Sequence, residues 1–494
     1  MKIQDFSGGM TSDVNVSLAP SNSVNMLLNM DGDIEIGSVV SRLGRATVGA
    51  QITAAMNILG LVQHIDVDTA SNNKLFATLN ASGGATSVIY DVIAASNAQT
   101  GLTASLKMRS LVYNGATLFI NGTDAERSYT SAGWITTGGA FDLANMPAGN
   151  LCIEFLDRVY IAGVTATLTR LLYSGVSSGT TVSWTSGNGY VDIEPEDGGG
   201  PITALGKVPG YILIFKERSM HRWNYISAFP ESLIQIGTPS QESVVMGGGL
   251  CAFYSNSNEN AKGFYITNGS RPVCISQDNN RPIKKWVDAI ASGSEANIAG
   301  WATDRGYAWS VGDLTVDGET YNNVVLKYNR KLNQWAVRTY PTEHKVFASY
   351  LVSGVNTIVG GDDDGTIYRM DKAGTYTDAV KTVTRNIPFK VRTHHNTFGE
   401  NKEKTISDKI VVRGKNINSA IISAYVNEIL DPIAVNGKGF INKILSVLGV
   451  GNTIKGNTIS VEVAGESSGS ACYVREIEIP VITALNNYVS YIYN

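Results

Sequence analysis

The chain has 494 residues, room for about three compact domains at roughly 150 residues each, or fewer if one of them is a large all-β unit. Lys+Arg 39 against Asp+Glu 43 leaves a net charge of −4, and 17 % charged residues falls below the roughly 25 % of an ordinary soluble domain, which excludes a histone-like nucleic-acid binder and an acidic disordered tail. With 51 glycines, 13 prolines and many runs of Val, Ile, Thr, Tyr, Ser and Asn, short strands and tight turns are expected and an all-α fold is excluded.

Met1 to Gly9 lacks the apolar core of a secretory signal, and no segment approaches the roughly 20 apolar residues of a membrane helix. A soluble chain with no membrane span is the expectation. Residues 1–54 read as an N-terminal arm with one short helix at 21–30, where Val24, Leu27 and Leu28 share a face. The arm is polar and poor in core residues, so it is expected to reach across to a neighbouring copy.

From 55 to 383, β-like runs recur every 8 to 14 residues with Gly, Asn, Asp or Ser at the breaks, the spacing of antiparallel meanders. The clearest stretch has strands at 345–352, 355–361 and 366–370, joined by Ser353-Gly354 and by Asp362-Asp363-Asp364-Gly365. Neighbours joined this tightly pair antiparallel. Upstream, Asp317-Gly318 reads as a type I′ hairpin turn, and the alternation of Val324, Leu326 and Tyr328, then of Trp335 and Val337, marks a sheet with one buried face. Units of about 40 to 50 residues over this span predict six to eight four-stranded blades of an irregular β-propeller, with a series of β-sandwiches as the alternative. A short amphipathic helix is predicted at 282–290, with Ile283, Trp286, Val287 and Ile290 on one face, Pro282 at its start and Gly293 beyond its end.

Residues 384–494 read as a small separate C-terminal β-domain, with strands at 409–413, 459–463 and 473–479 and a third helix at 440–448. The segment 381–415 carries nine basic side chains against three acids. Three readings stay open for it: subunit contact foremost, a solvated loop, and direct DNA contact. With only Phe389 and Phe398 among them, these residues do not form a base-stacking platform.

Chemistry-bearing patterns are few. The four cysteines sit in apolar runs and never as C-x-x-C, so buried free thiols are expected. His64, His221 and His344 stand alone among β-runs, while His394-His395 point to opposite faces of any regular strand and are read as surface or partner-facing. The run 362–365 fails as an EF-hand loop because Ala373 stands where the bidentate Glu belongs, leaving a tight turn with solvated acids. Glu194-Pro195-Glu196-Asp197 before three glycines pairs carboxylates in the manner of a glycosidase, but nothing else marks a sugar cleft. No catalytic residue, cofactor or metal site is expected.

Several stretches in order resemble the tail nozzle, or tail hub, proteins of short-tailed bacteriophages: Asp5-Phe6-Ser7-Gly8-Gly9, Leu18-Ala19-Pro20-Ser21-Asn22, Asn29-Met30-Asp31-Gly32 and Arg42-Leu43-Gly44 at the start. Gly200-Pro201-Ile202-Thr203-Ala204-Leu205, the apolar hairpin beginning Tyr211-Ile212-Leu213-Ile214-Phe215, the helix after Ser276, the pair around Tyr328-Asn329 and Trp335, and Gly365-Thr366-Ile367-Tyr368-Arg369-Met370-Asp371 are similar to its centre. The resemblance covers about 1–45 and 200–400. It implies a structural virion protein, not an enzyme, assembled in the host cytoplasm. The protomer would belong to a sixfold ring below portal and adaptor proteins, with double-stranded DNA in transient passage and a docking surface for tail fibres or spikes. Phe6, Arg42, Lys402, Lys404, Lys409, Arg413 and Lys415 are the expected partner contacts. Six copies at −4 sum to about −24, a field in which a DNA duplex slides instead of sticking. The competing reading is a glycan-binding or glycan-cleaving propeller with Trp184, Tyr190 and Glu194 at its mouth.

Overall fold

The computed structural model describes residues 2–483, apart from 13–18, 20–21, 33–36, 54–55, 67–68, 70–71, 228, 259–261, 278–282, 304, 395–403, 407–409, 418–419, 427–428, 437–441, 446–454, 457–458 and 480. Six four-stranded antiparallel meanders and a seventh of three strands follow one another from Ile58 to Arg369. Their first strands are Ile58–His64, Arg109–Tyr113, Leu151–Phe155, Ile202–Val208, Val245–Gly247, Ala299–Thr303 and His344–Val352. Each first strand lies beside the next, and the seventh returns to the first. The chain is therefore a seven-bladed β-propeller, within the expected six to eight.

The blades form for the reasons the turns suggested. Asp317 and Gly318 have φ of 50° and 82°, and Ser353 and Gly354 have φ of 50° and 80°; paired positive φ is what a two-residue type I′ hairpin demands. The strands Gly306–Val316, Glu319–Asn329 and Gln334–Thr339 alternate about the buried Trp309, Leu326, Tyr328 and Trp335. Burying such side chains contributes about 1.5–3 kcal/mol each.

Blade 7 is closed from outside its own meander. Its outermost strand is Ala46–Thr47, antiparallel to Ile367–Arg369, so a segment that precedes blade 1 completes the ring. A glycine is required at this closure. A Cβ on Gly44 would stand 1.8 Å from the Thr377 carbonyl oxygen, which accounts for the Arg-x-Gly spacing at Arg42-Leu43-Gly44. Gly44→Ala is expected to lower stability by about 1–3 kcal/mol through this overlap, read as a lower midpoint in scanning calorimetry.

The expected free arm is not free. Residues 2–41 and 377–483 interleave into one second unit. Lys2–Ile3 pairs with Tyr473–Glu478, and Val39–Ser41 joins the same strand further along. Ser23–Val24, Met26–Leu28 and Met30–Asp31 are strands where a helix was expected at 21–30. The apolar spacing there fits either period, and sheet partners far away in sequence decide it. Met26–Leu28 is the splice: it runs parallel to Gln334–Thr339, the outer strand of blade 6, and antiparallel to Val383–Arg392, giving one ten-stranded sheet that spans both units. Within the proposed 440–448 helix, Asn442–Leu445 is a strand, paired with Ile410–Lys415. The 282–290 helix is observed as Lys284–Asp288, with Ile283, Trp286, Val287 and Ile290 all buried.

A single apolar core crosses the junction. It runs from Tyr254, Phe264, Trp309 and Trp335 of blades 5 and 6, past Trp286, to Ile3, Phe6, Met10, Val412 and Ile477 of the second unit. Phe6 is fully buried inside its own chain, so the expectation that it contacts a partner does not hold.

Candidate functional site

Charge concentrates at several places among the described residues, each built by elements that meet from distant parts of the sequence. The first is the propeller axis. A cavity of about 440 Å³ is lined by residues from all seven blades, among them Leu59, Arg109, Glu154, Lys207, Glu242, Gly300 and Phe347. Ion pairs cross it. Arg109 on blade 2 and Lys107 just before it reach Glu242 at the start of blade 5, at 3.0 and 3.1 Å, while Lys207 pairs with Glu154 at 2.7 Å. Burial alone would raise the Glu242 carboxyl, but Arg109 and Lys107 hold it below the usual range. A space this size suits a small molecule.

The second is the junction beside blades 6 and 7, where charged residues are buried in numbers that ion pairing makes tolerable, although Asp31 Oδ1, Arg45 Nη2 and Arg338 Nε have no hydrogen-bond partner. Arg42, fully buried, donates in a fork to Asp378 at 2.5 and 3.0 Å and lies with its guanidinium 4.1 Å from the Tyr340 ring centre. Arg45 donates to the Ala379 carbonyl and Thr342, and stacks 3.8 Å over Tyr368. Arg338 bridges Asp31 and Asp371. Burial would raise the Asp31 carboxyl, but Arg338 and Lys327 bring it down to about 2. Arg42 was expected at a subunit contact; it is instead a rivet between the N-terminal segment and the hairpin at 377–386.

The third lies on the loop between blades 3 and 4. The buried Lys216, Ser219 and His221 of blade 4 converge on Asp197: Lys216 Nζ at 2.8 Å, Ser219 Oγ at 2.6 Å and His221 Nε2 at 3.0 Å. Although Ser, His and Asp meet here, they are not a nucleophile relay. Ser219 and His221 both address the same carboxylate oxygen, Asp197 Oδ2, so the imidazole does not stand between serine and acid as a relay requires. Burial would raise the Asp197 carboxyl, but Lys216, Ser219, Gly199 and His221 hold it far below the usual range. His221 was expected to stand alone; its partner is 24 residues earlier, on a loop the strand pattern did not connect to it.

The remaining expected residues are scattered. Arg413 pairs with Glu476, and Lys415 is exposed beside the Tyr473 ring. Lys404 lies in the strand Lys404–Ile406, whereas Lys402 and Lys409 fall outside the described residues. The other described histidines are interior. His64 meets Thr117 at 2.9 Å and His344 meets Arg45 at 3.0 Å. His394, expected at the surface, is buried against Ser23 at 3.0 Å because Val383–Arg392 delivers it into the seam between the two sheets; His395 lies outside the described residues. The 362–365 turn also differs from expectation. Asp362 is buried, accepting the Asp364 and Thr366 amides, and burial raises its carboxyl. Trp184 is buried with its indole N–H on the Phe141 carbonyl, while Tyr190 lies under Arg170, so Trp184, Tyr190 and Glu194 do not line a common cleft.

Burial pushes the Cys152 thiol up to about 12 and Cys472 up to about 11, and it raises Cys251 as well. Thiolate is the reactive form. In native buffer at neutral pH these three are expected to resist Ellman's reagent and to react only on adding denaturant; fast labelling of any of them in the folded chain would contradict their placement.

No protein-family model matches the chain, and no curated protein matches it in sequence. Among solved structures it is similar to the Neurospora crassa Pan2 WD40 domain, at 8 % identity over 67 % of this chain and 96 % of that one, with a TM-score of 0.38. It is also similar to a chain in a complex of S. cerevisiae Dbp5 bound to Nup159, Gle1, IP6 and ADP, at 10 % identity over 67 % and 94 % of the two chains, with a TM-score of 0.37.

Proposed function

We propose that this chain is a structural subunit of a short-tailed bacteriophage tail, a nozzle or hub protomer that assembles with copies of itself into a ring on the genome's exit path. The observation that carries the reading is the splice. One sheet and one apolar core run from the propeller into the second unit, so a protomer passes axial force from one unit to the other without a hinge. A conduit under pressure needs that stiffness. The order of motifs from Phe6 to Asp371 supports the same reading.

The protomer's own axis is crossed by ion pairs, so in this proposal DNA passes between protomers, along the ring axis. The surface that meets portal, adaptor and fibre proteins draws on the basic segment 381–415, of which Lys415 is exposed. The proposal involves no catalysis, and the burial of Trp184 favours it over a glycan-active propeller with Trp184 at its mouth.

Negative-stain imaging of the full-length protein, alone and mixed with its portal–adaptor complex, tests this directly. Sixfold rings with an open centre are expected in at least the mixture. Monomers under both conditions, or turnover of cell-surface polysaccharide by the purified chain, would overturn it.

A further inference from the structure

The Asp197 cluster leaves one buried nitrogen without a partner. Asp197 acts as an acceptor, its Oδ1 taking the Lys216 ammonium and the Gly199 amide. Its Oδ2 faces both Ser219 Oγ and His221 Nε2, so each must supply a proton. His221 therefore carries its hydrogen on Nε2 and presents a bare lone pair at Nδ1. That nitrogen is buried, the side chain is fully enclosed, and no hydrogen-bond partner reaches it. What it faces is another acceptor: Glu194 Oε2, 4.0 Å away.

Both atoms carry lone pairs and the nitrogen is buried, so positive charge between them is favourable. A proton on Nδ1 gives an ion pair but no hydrogen bond at this separation. A borderline divalent ion bonds to both atoms. Its bonds to imidazole nitrogen and carboxylate oxygen are each about 2.0–2.2 Å, so together they span the gap with a small inward movement of the half-exposed Glu194. The surroundings match as well. An imidazole that binds metal through one nitrogen commonly donates its other N–H to a carboxylate, which fixes its tautomer and ring angle. Asp197 stands in that position, itself anchored by Lys216 on its other oxygen. The ammonium of Lys216 is occupied on the far side by Asp197 Oδ1 and the Glu194 carbonyl, at 2.8 and 2.7 Å. Glu194, Asp197 and Lys216 sum to a single negative charge, which favours a cation. Glu194 is open to solvent, so water can complete the coordination shell.

We propose that Glu194 and His221 form a divalent-cation site of the zinc type, with His221 binding through Nδ1, Glu194 through its carboxylate, and Asp197 orienting the imidazole. The ion would fasten the loop between blades 3 and 4 to the strands of blade 4. This assignment is independent of the ring proposed above.

The test uses the full-length chain stripped with chelator and titrated with ZnCl2 against a chromogenic competitor, with thermal melting as a second readout. One zinc per chain is expected, with a rise in melting midpoint. Glu194→Gln removes a ligand at an exposed position, so the fold should survive by circular dichroism while affinity falls at least tenfold and the midpoint no longer responds to zinc. Glu196→Gln, on the same acidic loop but not facing His221, should bind as the parent does. Absence of zinc binding in the parent, equal binding by Glu194→Gln, or equal loss in Glu196→Gln would overturn the proposal.

Discussion

Deleting residues 2–10 is expected to abolish folding of the full chain, not merely its assembly. Ile3, Phe6 and Met10 are all buried in the shared core, and Lys2–Ile3 supplies a strand to the second unit. Removing one large core side chain costs about 2–5 kcal/mol, so losing three approaches or exceeds the roughly 5–15 kcal/mol of net stability that a folded protein holds. Expression of the deletion variant should yield insoluble protein, or a species lacking cooperative thermal unfolding. A deletion variant that melts cooperatively near the parent midpoint would mean that these residues do not pack as described. The contrast with a free arm is sharp, because an arm used only for assembly could be trimmed with the monomer left intact.

The second large effect is expected at Arg338. Its guanidinium is fully buried between Asp31 and Asp371, and Asp31 also meets Lys327 at 3.3 Å. Arg338→Ala leaves two carboxylates without their shared partner, a loss of about 3–5 kcal/mol when the site is buried. Arg338→Lys should fall between, since an ammonium cannot fork onto two acids held on opposite sides. Urea unfolding of the three proteins, compared at equal slope, measures the order. Parent-like stability of Arg338→Ala would show the network to be dispensable. Acid titration offers a further check on the same residues. Asp31 is held near 2 in the folded chain against an ordinary 3.8, so its contribution is complete above the ordinary value and is lost as pH falls through about 2. In Arg338→Ala that contribution should be smaller and its loss complete at a higher pH.

How much of this was legible in the sequence depends on how far apart the partners are. Hairpins set by Asp317-Gly318 and Ser353-Gly354 declare themselves locally, because two adjacent residues fix the turn and the register follows. So the all-β class, the meander and the short helix at 284–288 were readable. The splice was not. Met26–Leu28 is three residues long and takes its strand identity from Val337 and from 390–392, more than three hundred positions away. Its apolar spacing is equally that of a helix face. The same distance hid the role of Arg42, expected at a partner contact, whose carboxylate partner Asp378 lies 336 residues later. At the Asp197 cluster the acids were noticed and the histidine was noticed, but only folding of blade 4 against the preceding loop brings them within 3.0 Å.

The splice also bears on how the protein is made. A ribosome releases residues 2–47 first, yet Lys2–Ile3 waits for 477–478 and Ala46–Thr47 waits for 368–369. At about 5–20 residues per second, the leading segment spends roughly 20 to 90 seconds as an unpaired ribbon carrying Phe6, Met10 and Leu27. During that interval nascent chains translated side by side on one message can trade these segments. Host chaperones that shield apolar ribbons, or a slow stretch of translation between the blades, would then govern how much of the product closes upon itself.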